Sequence, residues 1–297
     1  MTTAVIPAPA KKDDSKDKRR GRAGWLIETI VVLLCVAWTI PTLSLVITSF
    51  RPPELADNSG WWTWFANPLQ LTLDNYQGVL DNASNPMGTA FVNSLAIAVP
   101  STIIPILIAA FAAYAFTFME FRGRDVLFII VVGLLVVPNQ VALVPLSVLF
   151  EQWGLQGQFV TAWLAHAGFG MPLAVYILRN YMATLPKAVT ESAKIDGASH
   201  FQIFWRLIVP MSWPALASFA IFQFLWVWND LLVALIFIGP GENQPMTIAL
   251  ASLLGTRGVG WQLLTAGACL TMLVPLIVFL SLQRFFIRGL TAGAVKG

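Results

Sequence analysis

Apolar residues run along this chain in six long stretches, over residues 24–50, 89–118, 126–150, 159–181, 212–238 and 260–286. A helix needs about 20 mostly apolar residues to cross a bilayer, so each stretch predicts one span. The third and fourth are separated only by the tight polar connection EQWGLQGQ. Prolines interrupt several: Pro100 and Pro105 in the second, Pro138 and Pro145 in the third, Pro172 in the fourth. Inside a bundle such breaks are tolerated, because neighbours satisfy the freed carbonyls. The first stretch follows KKDDSKDKRRGR, which resembles the n-region of a signal peptide. A cleaved signal has an apolar core of about 7–15 residues, and this run is much longer. The pattern predicts a disordered tail over 1–23, an all-α integral membrane domain over 24–288 and a short C-terminal tail over 289–297.

Composition supports the membrane class. The chain is 57% hydrophobic and 11% charged, against about 25% charged in soluble domains. Its net charge of +3 names no partner, nucleic acid included, but the placement of charge is informative. Of the 18 Lys and Arg, all but Arg51 and Arg257 fall in the N-terminal tail, toward the C-terminus from Arg284, or in the segments after the second and around the end of the fourth stretch. By the positive-inside rule both termini and the polar segment 183–211 are cytoplasmic, and the loop 51–88 lies outside. The WWTWF run in that loop fits an interfacial aromatic belt better than a sugar-stacking role. Cys35 and Cys269 each sit in an apolar run, and the two histidines, His166 and His200, have no metal-ligand spacing. No Lys follows a Gly, so the phosphate-cradling GxxxxGK loop is absent and the chain supplies no ATP hydrolysis itself.

The polar segment between the fourth and fifth stretches, ESAKIDGASHFQIFWRLIVP over 191–210, is not a minimal linker. Pro186 sits where a first helical turn begins, with good helix formers after it. Gly197 in the DGAS break can adopt the positive φ of a C-cap or turn. Ser199 and Gln202 have capping-box spacing for a second short helix, HFQIFWRL, which stops before Pro210. Two short helices turned at Gly197 are therefore expected. Val189, Ala193, Ile195, Phe201, Phe204, Trp205 and Ile208 offer apolar surface, while Glu191, Lys194, Asp196 and Arg206 offer charge. Such a pair could lie on lipid headgroups or dock another protein, and the residues alone leave both open.

The same segment resembles the EAA loop of importers powered by ATP-binding cassette (ABC) subunits: Glu191, Ser192, Ala193, then Gly197, then Leu207, Val209 and Pro210, at that family's spacing. Ser192, Leu207 and Val209 depart from its usual Ala, Ile and Leu. IDGAS over 195–199 is similar to the version in carbohydrate importers, and FVNSLAIA, AAYAFTFMEFRGRDVLF, VVPNQVALVPL, WNDLLVAL and GLTAGAVKG extend the likeness over nearly the whole chain after residue 25. The chain resembles the shorter permease of the maltose-type carbohydrate uptake family. That resemblance implies a type I ABC-importer permease fold in the bacterial or archaeal inner membrane. It also implies a second permease subunit, two ABC ATPase subunits that bind ATP and Mg, and an extracytoplasmic sugar-binding protein. This chain would bind no cofactor. Glu191, Ser192, Ala193, Asp196, Gly197, Leu207 and Pro210 would form the ATPase-coupling loop, with Glu191 facing basic groups of the ATPase, Gly197 allowing a sharp turn and Ala193 keeping the contact tight. The C-terminal GLTAGAVKG would reach toward the ATPase pair or end as a frayed tail.

Polar groups inside spans are costly and mark functional sites. Asn229 and Asp230 in LWVWNDLLVAL, flanked by Trp226 and Trp228, combine an amide, a carboxylate and indoles, a set that suits a sugar. A helix–helix polar contact explains the same pair at least as well. Asn93, Asn139 and Gln140 are weaker candidates for the solute path, and His166 reads as a satisfied interior group. A proton-coupled sugar carrier is the competing class. It would need a chain of intramembrane acids or bases, and only Asp230 and His166 lie well inside spans.

Overall fold

The computed structural model describes residues 14–81, 86–253 and 260–292, and every described element is helical. In chain order these are α1 (Asp14–Ser49), α2 (Pro53–Asn58), a 3-10 turn (Trp61–Ala66), α3 (Asp74–Leu80), α4 (Met87–Phe118), α5 (Arg124–Gly133), α6 (Asn139–Gln152) and α7 (Phe159–Met182). Then follow α8 (Lys187–Ile195), α9 (His200–Ile203), a π turn (Phe204–Ile208), α10 (Val209–Met211), α11 (Trp213–Asn229), α12 (Leu232–Phe237), α13 (Met246–Ser252) and α14 (Trp261–Ala292). Among the described residues, four helices are long and apolar enough to cross a membrane: α1 from Gly24, α4, α7 and α14 as far as Gln283. Two bent pairs bring the number of spans to six.

The second bend, 73°, lies at Ser212 between the helix ending at Met211 and α11, while the first has a clear cause in the sequence. The stretch 126–150 is not one straight helix: its two halves meet at 97°. Pro138 lacks an N–H and pushes Val137 into extended backbone (ψ 120°), which ends the first half. Pro100, Pro105, Pro145 and Pro172 remain inside helices. The stretch 212–238 is also divided. α11 ends at Asn229, Asp230 takes ψ 110°, and the chain restarts as α12, packed against α6 and α7. The second helix of the polar loop does not stop before Pro210. A π turn over Phe204–Ile208 widens the ladder, and the helix carries Pro210 on to Met211. Residues 14–23 are helical as part of α1, while residues 1–13 of the expected N-terminal tail and residues 293–297 of the C-terminal GLTAGAVKG lie outside the described residues.

The bundle is built on α4 and α7, which pack along their lengths, with α11 against α4, α7 and α14. Ala109, Ala110, Ala113 and Ala174 are fully buried at the α4–α7 seam. Small side chains let helix backbones approach closely where lipid supplies no hydrophobic drive. α1 touches mainly α14 and leaves Ile27, Leu33 and Trp38 bare, a lipid-facing or partner-facing surface.

The segment after α1 is ordered by one residue. Arg51 is buried and donates to the carbonyls of Leu55 and Ser59 and to the hydroxyls of Ser59 and Thr63. Asn75 clamps the same corner by donating to the carbonyls of Ser49 and Arg51, at 2.9 and 2.8 Å. Burial lowers the Arg51 pKa from its ordinary value. Charge counting had used Arg51 only to orient the chain. Its role as the hub of α2 and the tryptophan turn appears only in three dimensions.

Candidate functional sites in the polar loop and the bundle interior

The polar loop is built from two complete local motifs. α8 ends in a Schellman arrangement: Ala198 N–H donates to the Ala193 carbonyl at 2.9 Å and Gly197 N–H to the Lys194 carbonyl at 3.0 Å. Gly197 sits at φ 80°, where a side chain is strained, and a Cβ there would meet nothing within 4 Å. The glycine is required by the backbone conformation and not by crowding within this chain. A capping box then starts α9. Gln202 N–H donates to Ser199 Oγ at 3.3 Å, and Ser199 N–H donates to Gln202 Oε1 at 2.9 Å.

The two helices divide their faces cleanly. Ala193, Ala198, Ile203, Phe204, Leu207 and Ile208 pack into the base of α4 and α7. Phe204 stacks on Phe111 of α4 with ring centroids 4.3 Å apart. His200 Nδ1 and the Tyr114 hydroxyl share a hydrogen bond of 2.8 Å. These ties make the loop an extension of the bundle. The opposite face is solvent-exposed and holds Glu191, Ser192, Asp196 and Gly197, with Ile195 86% and Phe201 65% exposed. Pro210 is also exposed. Of the seven predicted coupling residues, Ala193 and Leu207 thus support the loop from inside, and the other five lie at its surface.

The predicted solute-path residues do not form one site. Trp228 is buried, with its indole N–H on the Thr271 carbonyl at 3.1 Å. Asn229 is exposed and donates back to the Leu225 carbonyl at 2.7 Å. Asp230 caps α12, accepting from Val233 N–H at 2.9 Å. Asn93 donates to the carbonyls of Glu242 and Gln244, at 2.7 and 3.1 Å, and so holds down the loop before α13. Gln140 is exposed, and only Asn139 lies on the larger cavity, whose lining includes the exposed Leu134, Val137 and Phe222. His166 is buried, with its ring edge-on to Trp226 at 5.4 Å and Nδ1 without a partner. His166 and Asp230 line a small cavity of about 10 Å³ together with Ser94, Trp228 and Thr247.

The residue that sequence reasoning missed is Gln223. It lies in the apolar run AIFQFLWVW and is completely buried. Its Nε2 donates to the carbonyls of Ser101 in α4 and His166 in α7, both at 3.3 Å, which ties three helices together. Its Oε1 has no partner. The rule that selected Asp230, a costly polar group inside a span, applied equally to Gln223.

The comparisons with known proteins agree with this architecture. Residues 105–292 match the family described as "Binding-protein-dependent transport system inner membrane component". The chain is 55% identical to the osmoprotective compounds uptake permease protein GgtD of Synechocystis sp., over 91% of each chain. It is 58% identical to the alpha-glucoside transport system permease protein AglG of Rhizobium meliloti, over 94% of this chain and 99% of that one. In fold it is similar to a chain of a bacterial ABC transporter that imports alginate, with TM-score 0.77 and 18% identity over 94% of this chain and 100% of that one. The chain belongs to the family of binding-protein-dependent transport system inner membrane components, as a multi-pass permease subunit of the type I ABC-importer fold whose ATPase is a separate chain.

Proposed function

We propose that this chain is one of two permease halves of an ATP-driven importer of α-glucosidic sugars. A second permease of the same fold completes the path. Two ATPase subunits bind ATP and Mg, and an extracytoplasmic protein delivers the sugar. The termini and the loop over 183–211 face the cytoplasm, as the distribution of Lys and Arg supports. The relative named for alpha-glucoside transport is 58% identical over nearly the whole chain, and this supports the substrate class.

One observation carries the coupling role: the exposed face of Glu191, Ser192, Ile195, Asp196 and Gly197 is mounted on a loop whose other face is packed into α4 and α7. An ATPase that grips this face moves the bases of two spans with it. Rigid motion of packed helices is how closure at one end becomes opening at the other. Glu191 and Asp196 supply negative charge for basic groups of the ATPase, and Ile195 and Phe201 supply the apolar anchors that dominate such contacts.

Reconstitution with a second permease, the ATPase and the binding protein tests the reading. ATP-dependent uptake of labelled trehalose, maltose or sucrose is expected. It is lost in Glu191→Lys and Gly197→Arg, although both variants still assemble in the membrane. Full uptake in both variants sinks the coupling assignment. Uptake by the lone chain in vesicles without ATP points instead to a proton-coupled sugar carrier.

A further inference from the structure

We propose that Trp163, Gln223 and Trp228 are positioning residues, each supplying a hydrogen bond that a helix has lost to proline. Completed in this way, α4 carries the coupling stroke from the polar loop to the outer side of the membrane. The inference rests on the importer reading above and goes beyond it, because it assigns the path of the motion to one helix and the upkeep of the proline-containing helices to three side chains.

Proline has no N–H, so within a helix it frees the carbonyl four residues before it. In α4, Pro100 frees Ala96 and Pro105 frees Ser101. Both carbonyls are taken by side chains from other helices. Trp163 of α7 donates its indole N–H to the Ala96 carbonyl at 2.9 Å, and Gln223 of α11 donates Nε2 to the Ser101 carbonyl at 3.3 Å. The arrangement recurs in α14, where Pro275 frees Thr271 and Trp228 donates its indole N–H to that carbonyl at 3.1 Å. A freed carbonyl without a donor is costly at membrane depth, and a kink at proline is the ordinary result. Here the neighbours supply the donors, and α4 remains one helix from Met87 to Phe118.

That continuity matters because α4 is tied to a loop at each end. Toward the cytoplasm, Tyr114 shares its 2.8 Å hydrogen bond with His200 of the polar loop, and Phe111 stacks on Phe204. At the other end, Asn93 donates to the carbonyls of Glu242 and Gln244, and Ser94 Oγ accepts from Met246 N–H at 2.8 Å, so the loop before α13 is pinned to α4. Asn93 and Tyr114 lie about 30 Å apart along the helix at 1.5 Å per residue, close to the thickness of the hydrocarbon core. The buried alanine seam with α7 backs the helix toward its cytoplasmic end. A rigid helix tied at both ends moves its outer loop when its inner loop is pulled. A helix that bends at Pro100 absorbs the motion instead.

The test uses the complete transporter in vesicles, with its binding protein at saturating concentration and loaded with trehalose, maltose or sucrose. The readout is the ratio of ATP hydrolysis with and without that protein. Trp163→Phe keeps an aromatic ring but removes the donor, and the ratio is expected to fall at least about fivefold. Adding Pro100→Ala restores a backbone N–H for the Ala96 carbonyl, so the double variant is expected to return to the wild-type ratio. Rescue by a substitution in a different helix separates a missing hydrogen bond from lost packing. Asn93→Asp removes the donors at the outer tie and is expected to lower the ratio by a similar factor, with the binding protein still saturating. A wild-type ratio in either Trp163→Phe or Asn93→Asp, or a Trp163→Phe loss that Pro100→Ala leaves uncorrected, overturns the inference while the import reading stands. Absence of stimulation in the unmodified complex with all three sugars removes the import reading and the inference with it.

Discussion

Two glycines separate the two candidate functional regions of this protein. Gly197 in the polar loop has empty space around its missing side chain and a φ of 80°. Gly170 in the bundle has ordinary helical backbone, and a Cβ there would strike Gln223 at 2.6 Å. The first is required by the chain's own local geometry, the second by a side chain more than 50 residues away. The loop is a locally encoded object: a Schellman end, a capping box and an amphipathic face, each specified within six residues. The bundle interior is assembled over long separations, with Gln223 reaching back 122 residues to Ser101 and 57 to His166.

The largest expected effect is at the loop. Gly197→Arg adds a side chain at positive φ and fills the exposed face, so ATP-driven uptake should fall to background with the complex still assembled. Gly197→Ala sharpens the contrast, because it introduces only the backbone strain, about 1–2 kcal/mol. It should retain much of the uptake if occlusion of the face is what matters, as transport assays on the two variants side by side will read.

Next is Arg51→Ala. It removes a buried cation from two carbonyls and two hydroxyls and should destabilise the segment 51–81 by about 2–3 kcal/mol. Limited proteolysis of that segment measures the loss. Unchanged protection would show that Asn75 alone holds the corner.

Gly170→Ala should cost about 1–3 kcal/mol, because the Gln223 amide must move and give up its bonds to Ser101 and His166. Thermal unfolding of the purified complex reads this. The double variant Gly170→Ala with Gln223→Ala should recover part of the loss, since the clash is gone. Equal melting temperatures for single and double variants would break the assignment of Gly170 to Gln223.

The smallest effect is Ser199→Ala, which removes one half of a capping box and should cost about 1 kcal/mol. Because α9 is also held by the Tyr114–His200 hydrogen bond and the Phe111–Phe204 stack, uptake should be nearly unaffected. A large loss of uptake would mean that the loop depends on its local caps more than on its anchorage to α4.

The legibility of the sequence follows the same division. The Gly197 turn and the Ser199–Gln202 cap are readable because turn and cap chemistry acts between near neighbours. The two broken helices are only half readable. Pro138 announces a break, yet Pro100, Pro105, Pro145 and Pro172 look the same in sequence and remain helical. Asp230 looks like a polar group facing a solute, and the fold also gives it a local task, since Oδ1 accepts from the first turn of α12 while the residue lines a small cavity with His166. Gln223 was passed over because its place among three helices depends on Ser101 and His166, whose proximity no local pattern announces.

The sequence by itself determined the membrane class, the six apolar stretches, the family likeness and the motifs of the polar loop. Hydrophobic run length, charge bias and short-range hydrogen bonding are all written in consecutive residues. The tertiary structure decided which of the costly polar groups find partners in other helices and which retain a buried atom without one. That difference depends on what each group meets across helix interfaces. A buried amide with one partnerless oxygen can be recognised only once its neighbours from α4 and α7 are in place.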